Sequence, residues 1–303
     1  MIALLKASRF INLSIVGLTQ FIFYYIFFLQ YKDNFDLTLY PSLLFPFIGV
    51  TILITAGGYY INDYFDYDSD VINAKSSKLS NRNTYILAYF IVVIIGWVLS
   101  YSIAYVIGRI SLSLIYLVAV GLLFLYSSYL KKTALIGNVV VSMFSAFVLL
   151  IIIYSEYSVF QNQEWQDLSL GGNAVAIICF YSAYIFILSS LRELIKDIED
   201  VEGDSKIGYN TYPIKVGVRS AKIFSIILSV ILLLLGLYWM YFSWENMSNA
   251  SNYFFVLCIL ISNIFLPVNI ASAKTKIHYN KISRSCKLLM LSGLIYIIVI
   301  AWT

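Results

Sequence analysis

The chain has 303 residues, of which 61% are hydrophobic and only 12% charged. An ordinary soluble domain carries roughly a quarter of its residues as charges, so a water-soluble globule is excluded. The net charge of +4 is sorted by topology, as the loops show, and is not a nucleic-acid footprint.

In chain order, uncharged windows cover 10–31, 37–62, 83–108, 110–130, 133–155, 168–191, 223–244, 246–273 and 288–303. A spanning helix needs about 20 mostly apolar residues. All but the last window reach that length, and the last is short. The expectation is an all-α polytopic membrane protein, a single domain over 1–303 with about nine transmembrane helices in one bundle. The first window is too long for a signal peptide and has no small-residue cleavage site, so it reads as the first anchor.

Lysine and arginine set the orientation. With the N-terminus inside, every one of them lies in an inner segment except Lys32 and Arg109. The positive-inside rule then predicts a cytoplasmic N-terminus and an outside C-terminus in the cell membrane. Asp33, Asp36, Glu156, Glu164, Asp167 and Glu245 fall in outer loops and read as solvated charge. The remaining acids are confined to two inner windows, Asp63 to Asp70 and Glu193 to Asp204.

Those windows share a pattern. "DYFDYDSD" and "DIEDVEGD" both read D-x-x-D-x-[D/E]-x-D. On a helix, positions i, i+3 and i+7 lie within about 60° of one another. Asp63, Asp66 and Asp70 would therefore form one acidic stripe, and Asp197, Asp200 and Asp204 another. Asp68, Glu199 and Glu202 fall off the stripes and read as solvated. Glu193, one turn before Asp197, is placed to hold Arg192 or Lys196, and Gly203 is a candidate early stop for the second helix.

Carboxylate stripes suit a hard divalent cation, and Mg2+ is commonly held by a few carboxylates together with substrate phosphates. Acids at a helix C-terminus oppose the macrodipole, so solvated helix ends are a poor explanation for them. Lys75, Lys78 and Arg82 follow the first motif, Arg192, Lys196 and Lys206 flank the second, and Lys131 and Lys132 lie on the same side. Metal and cations together describe a polyphosphate site. Most of these lysines need only the positive-inside rule; Lys196, inside the acidic motif, is the exception. The 26 Tyr and 21 Phe are mostly lipid-facing bulk and interfacial belts, and some could line a greasy cavity whose ring faces favour a carbocation. A phosphate head with an apolar cavity behind it fits a lipid diphosphate.

"NDYFDYDSD" matches the N-D-x-x-D-x-x-x-D signature of the UbiA superfamily of intramembrane prenyltransferases, which the chain resembles over nearly its whole length. Lys196, Asp200 and Asp204 match the K-x-x-x-D-x-x-x-D core of its second signature. "LKKTALIGNVVVS" is similar to its segment between helices four and five. The resemblance implies an active site opening at the cytoplasmic side. Asn62, Asp63, Asp66, Asp70, Asp197, Asp200 and Asp204 would organise Mg2+ and diphosphate, with Lys196 touching the diphosphate. Catalytic roles fall to Asp66, Asp70, Lys196 and Asp200, and substrate binding to Asn62, Lys75, Lys78, Lys131 and Arg192. The partners implied are a prenyl diphosphate, a lipid or aromatic acceptor and membrane lipids, with no nucleic acid and no obligate protein partner. The implied reaction is alkyl transfer assisted by ionisation of the allylic C–O bond.

The chain departs from the family pattern in two places. The usual N-x-P-x-R-P stretch reads "NAKSSKLSNRN" here, without its proline and arginine, so Lys75 or Lys78 would supply the charge. Arg192 stands where the second signature often has Tyr. The wording "RELIKDIEDVEGD" leans to the branch that alkylates geranylgeranylglyceryl phosphate, with an aromatic quinone precursor as the alternative acceptor. A cation-coupled transporter and a catalytically silent lipid-binding relative are the rivals from other classes.

Other motifs add little. His278 is the sole histidine and reads as solvated, and Cys179, Cys258 and Cys286 are isolated. Gly57 and Gly58 read as a close helix contact. The match between the second and sixth windows hints at a duplicated four-helix unit plus a ninth helix.

Overall fold

The computed structural model describes residues 9–72 and 81–303, apart from the side chains of 68–72, 169 and 171. Among the described residues there is no strand, and nine helices are long and apolar enough to cross a membrane. They are α1 Phe10–Phe27, α2 Leu44–Ile72, α3 Arg82–Ile107, α4 Ser111–Ser128 and α5 Ile136–Ser155. α6 Ala174–Lys206, α7 Val218–Asn246, α8 Asn249–Ser272 and α9 Lys276–Trp302 follow. The protein is an integral membrane protein.

Helix ends differ from the uncharged windows, for a physical reason. The windows report the lipid-embedded length, whereas Lys, Arg and Glu are good helix formers and extend a helix beyond it. α9 therefore begins at Lys276, and the short ninth window is only its apolar end. α6 has 33 residues, about 50 Å at 1.5 Å per residue, against about 30 Å of hydrocarbon. Its surplus carries the second acidic motif. Gly203 does not stop it, because the helix runs on to Lys206 at the modest cost of one interior glycine. α2 likewise continues through the first motif to Ile72, and Pro46 sits in its first turn, where no intrahelical N–H is needed.

The helices fall into two compact units, 1–131 with 151–159 and 132–150 with 160–303. The first holds α1 to α4 and the end of α5. In it α2 packs on α1, α3 and α4, around buried Ala56, Tyr60, Ile61, Tyr85 and Tyr89. Gly58 lets α2 approach α4: a Cβ there would stand 3.2 Å from Leu123. Gly96 on α3 is tighter, since a Cβ would meet the Tyr116 hydroxyl at 2.5 Å, and that hydroxyl donates to the Val93 carbonyl at 2.8 Å. In the second unit α6 packs on α7 and α9. Phe180 stacks on Trp239 at 4.3 Å, and Trp239 Nε1 donates to the Tyr296 hydroxyl at 2.7 Å.

Glu156 departs from the sequence reading. It is not a solvated loop acid but fully buried in the first unit. Its Oε1 accepts from the Tyr24 hydroxyl at 3.0 Å and from Leu39 N–H at 2.8 Å. Its Oε2 accepts from Thr38 N–H at 2.9 Å. A buried carboxylate survives only with such donors, and here they fasten the segment after α1 to the end of α5. Arg109 adds to the join, donating to the carbonyls of Tyr154 at 2.7 Å and Ser155 at 3.1 Å, where a cation complements a helix C-terminus.

Candidate active site

In the first unit the motif end of α2 is a set of carboxylates already held by cations. Asn62 and Asp66, one turn apart, share a bond from Asn62 Nδ2 to Asp66 Oδ2 at 2.8 Å. Lys131 reaches them from the turn after α4, donating to Asn62 Oδ1 at 3.2 Å and pairing closely with Asp66 Oδ1. Its side chain is only 9% exposed, so this lysine is turned to the acids and not to the lipid surface. Asp63 is buried at 1% exposure. The Arg9 guanidinium lies 3.4 Å from Asp63 Oδ1 and 4.6 Å over the Tyr59 ring. The rings beside the acids hold further groups: Arg82 sits 4.4 Å over Tyr64, and Asn12 Nδ2 donates to the Tyr59 hydroxyl, one turn before Asp63, at 3.3 Å.

Asn62, Asp63, Asp66 and Lys131 are thus brought to one end of one unit. Asp70 lies on the same helix, with its side chain outside the described set, as is that of Asp68. Lys75 and Lys78 lie outside the described residues. Arg9 was legible only as an inner cation; its contact with Asp63 had no signal in the local sequence.

In the second unit α6 divides by face. Leu191, Leu194, Ile195 and Ile198 are buried at the i, i+3, i+4, i+7 spacing of a packed stripe, which leaves Arg192, Glu193, Lys196, Asp197 and Asp200 on the other side. Glu193 pairs with Arg192 and more loosely with Lys196 at 3.8 Å, so it holds both predicted candidates. Asp197 accepts a hydrogen bond from Asn138 Nδ2 at 2.8 Å, and Glu193, Asp204 and Lys196 are the charges that act on it. Asp200 faces Lys276 at 3.4 Å, with both side chains well exposed. Glu199 is not simply solvated: it is half-buried and accepts from Asn280 Nδ2 at 2.9 Å, because α9 begins early enough to cover it.

Beyond the motif, Tyr209 N–H donates to the Asp204 carbonyl at 3.0 Å. Asn210 N–H donates to the Lys132 carbonyl at 2.9 Å, and Lys132 lies 5.5 Å from the Tyr209 ring centroid. The segment before α5 is therefore tied to the chain that leaves the second motif.

Among the described residues no three His, Cys, Asp or Glu side chains form a metal-sized group. The donor chemistry nonetheless suits Mg2+, which takes carboxylate and amide oxygens and keeps positions for phosphate. Asn62, Asp63 and Asp66 supply such oxygens on α2, Asp197 and Asp200 do so on α6, and lysine and arginine stand beside both sets to meet a polyanion.

The model of the UbiA prenyltransferase family matches residues 19–285. A digeranylgeranylglyceryl phosphate synthase from Sulfurisphaera tokodaii is 30% identical over 262 residues, covering 84% of this chain and 86% of that protein. A solved structure from work on digeranylgeranylglyceryl phosphate synthase in membranes superimposes with a TM-score of 0.69 at 24% identity, covering 99% of this chain and 97% of that one. A UbiA homolog from Archaeoglobus fulgidus bound to DMAPP and Mg2+ gives a TM-score of 0.56 at 17% identity, over 98% and 99% of the two chains. These two structures share the fold.

Proposed function

Because the chain belongs to the UbiA prenyltransferase family, and so is a membrane enzyme that transfers prenyl groups, we propose that its acceptor is geranylgeranylglyceryl phosphate and its donor geranylgeranyl diphosphate. The observation that carries the acceptor is the likeness to the Sulfurisphaera tokodaii synthase across 84% of the chain. The cation surplus beside both motifs agrees with it, since two phosphate-bearing substrates need more positive charge than one.

In the proposed reaction the acceptor hydroxyl forms a C–O bond to the allylic carbon, the C–O bond to diphosphate breaks with its electron pair, and a proton is released. Asn62, Asp63, Asp66 and Asp70 on α2 would hold Mg2+, and Asp197, Asp200 and Asp204 on α6 would form a second such set. That ion supplies charge neutralisation of the diphosphate. Lys196, held only loosely by Glu193 at 3.8 Å and with its side chain 40% exposed, would turn to a diphosphate oxygen. Lys131 keeps Asn62 and Asp66 in a fixed arrangement before substrate arrives, so little ordering is left to do on binding. We place the N-terminus on the cytoplasmic side, on the lysine and arginine bias.

The test is product formation by purified protein in lipid with Mg2+ and geranylgeranyl diphosphate, offered geranylgeranylglyceryl phosphate, 4-hydroxybenzoate or a naphthoate. Digeranylgeranylglyceryl phosphate as the dominant product supports the reading. A prenylated aromatic as the dominant product would replace the acceptor.

A further inference from the structure

Asn138 is an amide in the first turn of a spanning helix, α5, and is buried with 9% exposure. An amide at that depth needs a partner, and the one it has is a motif carboxylate: Nδ2 donates to Asp197 Oδ2 at 2.8 Å. The backbone is shaped to deliver it. Leu135, three residues earlier, has φ 64°, a left-handed conformation costly for leucine, and such strain persists only where the surrounding structure over-determines it. Ser142 Oγ holds the Asn138 carbonyl at 2.6 Å, and Lys132 is anchored to Asn210, so the strained turn is fixed on both sides.

We infer that Asn138 is a positioning residue for the reaction: it fixes the plane of the Asp197 carboxylate through Oδ2, and Oδ1 would be the oxygen left to a metal ion. This rests on Asp197 being a metal ligand. Glu193 and Asp204 both act on Asp197 as like charges, and Lys196 as the opposing one. Without a fixed donor only these opposing charges would set the carboxylate's plane. Partners of metal ligands typically alter metal affinity by about 10- to 100-fold when removed.

The experiment uses the full chain in lipid nanodiscs with geranylgeranyl diphosphate and Mn2+, free Mn2+ being read by electron paramagnetic resonance. Asn138→Leu, of similar volume but with no donor, should weaken Mn2+ binding by about 10- to 100-fold. In an Asp197→Asn background the same change should add nothing, because it acts through that carboxylate. If leucine prevents folding, Asn138→Ser should shift Mn2+ binding in the same direction. Unaltered Mn2+ binding in Asn138→Leu, alongside weakened binding in Asp197→Asn, overturns the inference while keeping Asp197 as a ligand. An equal loss in the Asp197→Asn background overturns it in favour of a purely structural role. Wild-type binding by Asp197→Asn would show instead that the reading of the second motif is wrong, and the inference falls with it.

Discussion

Lys131→Met removes the cation from the Asn62–Asp66 pair while keeping a side chain of similar length. The Lys131 and Asp66 side chains are 9% and 21% exposed, so the pair is mostly out of water. Removing one partner of a buried ion pair costs about 3–5 kcal/mol, because the other charge stays buried and uncompensated. Asp66 retains its bond from Asn62 at 2.8 Å and some access to water, which lowers the expected cost to about 2–3 kcal/mol. At a factor of ten per 1.4 kcal/mol that is about 30- to 150-fold in the local opening of this helix end. Hydrogen exchange by mass spectrometry over 60–67, in nanodiscs, reads it directly. Adding Asp66→Asn removes the stranded charge, so the double variant should regain most of the protection and none of the prenyl transfer. Exchange within twofold of wild type in Lys131→Met, or a double variant less protected than the single one, would refute the reasoning.

Three further expectations concern residues away from that pair. In Glu156→Gln the amide NH2 takes the place of an acceptor and cannot serve all three donors. The variant should lose about 1–3 kcal/mol, seen as faster exchange at Thr38 and Leu39, with prenyl transfer per folded molecule unchanged. Gly96→Ala drives a methyl against the Tyr116 hydroxyl and ring and should lower the thermal midpoint through about 1–3 kcal/mol of overpacking, with Tyr116→Phe, which removes the hydroxyl but leaves no cavity, partly restoring it. Lys276→Ala breaks only an exposed pair, worth less than about 1 kcal/mol and screened by salt. Transfer should stay within about twofold of wild type, and a much larger loss would make Lys276 a substrate ligand.

The spans were legible because uncharged run length measures hydrocarbon thickness, a constraint the membrane imposes without reference to tertiary packing. Both acidic motifs were legible because helical spacing makes i, i+3 and i+7 a face. Their partners were not. Arg9, Asn138 and Asn280 come from distant parts of the chain, and only folding brings Arg9 to Asp63, Asn138 to Asp197 and Asn280 to Glu199. Asn138 did leave a trace, as a buriable amide in an otherwise apolar window that had to find a donor or acceptor mate. Glu156 left none: a loop carboxylate looks the same in sequence whether water or backbone N–H groups surround it. Helix ends were misplaced for two reasons: at α9 the charged residues end the lipid-facing stretch and not the hydrogen-bonded helix, and at Gly203 a single interior glycine costs too little to stop α6 before Lys206.

The most direct test of the central claim is transfer from radiolabelled geranylgeranyl diphosphate to geranylgeranylglyceryl phosphate by the purified chain in lipid, with Mg2+ titrated from zero. The account expects labelled digeranylgeranylglyceryl phosphate that rises with Mg2+ and disappears with EDTA or in Asp66→Asn. Equal product in EDTA, or full product from Asp66→Asn, would contradict it.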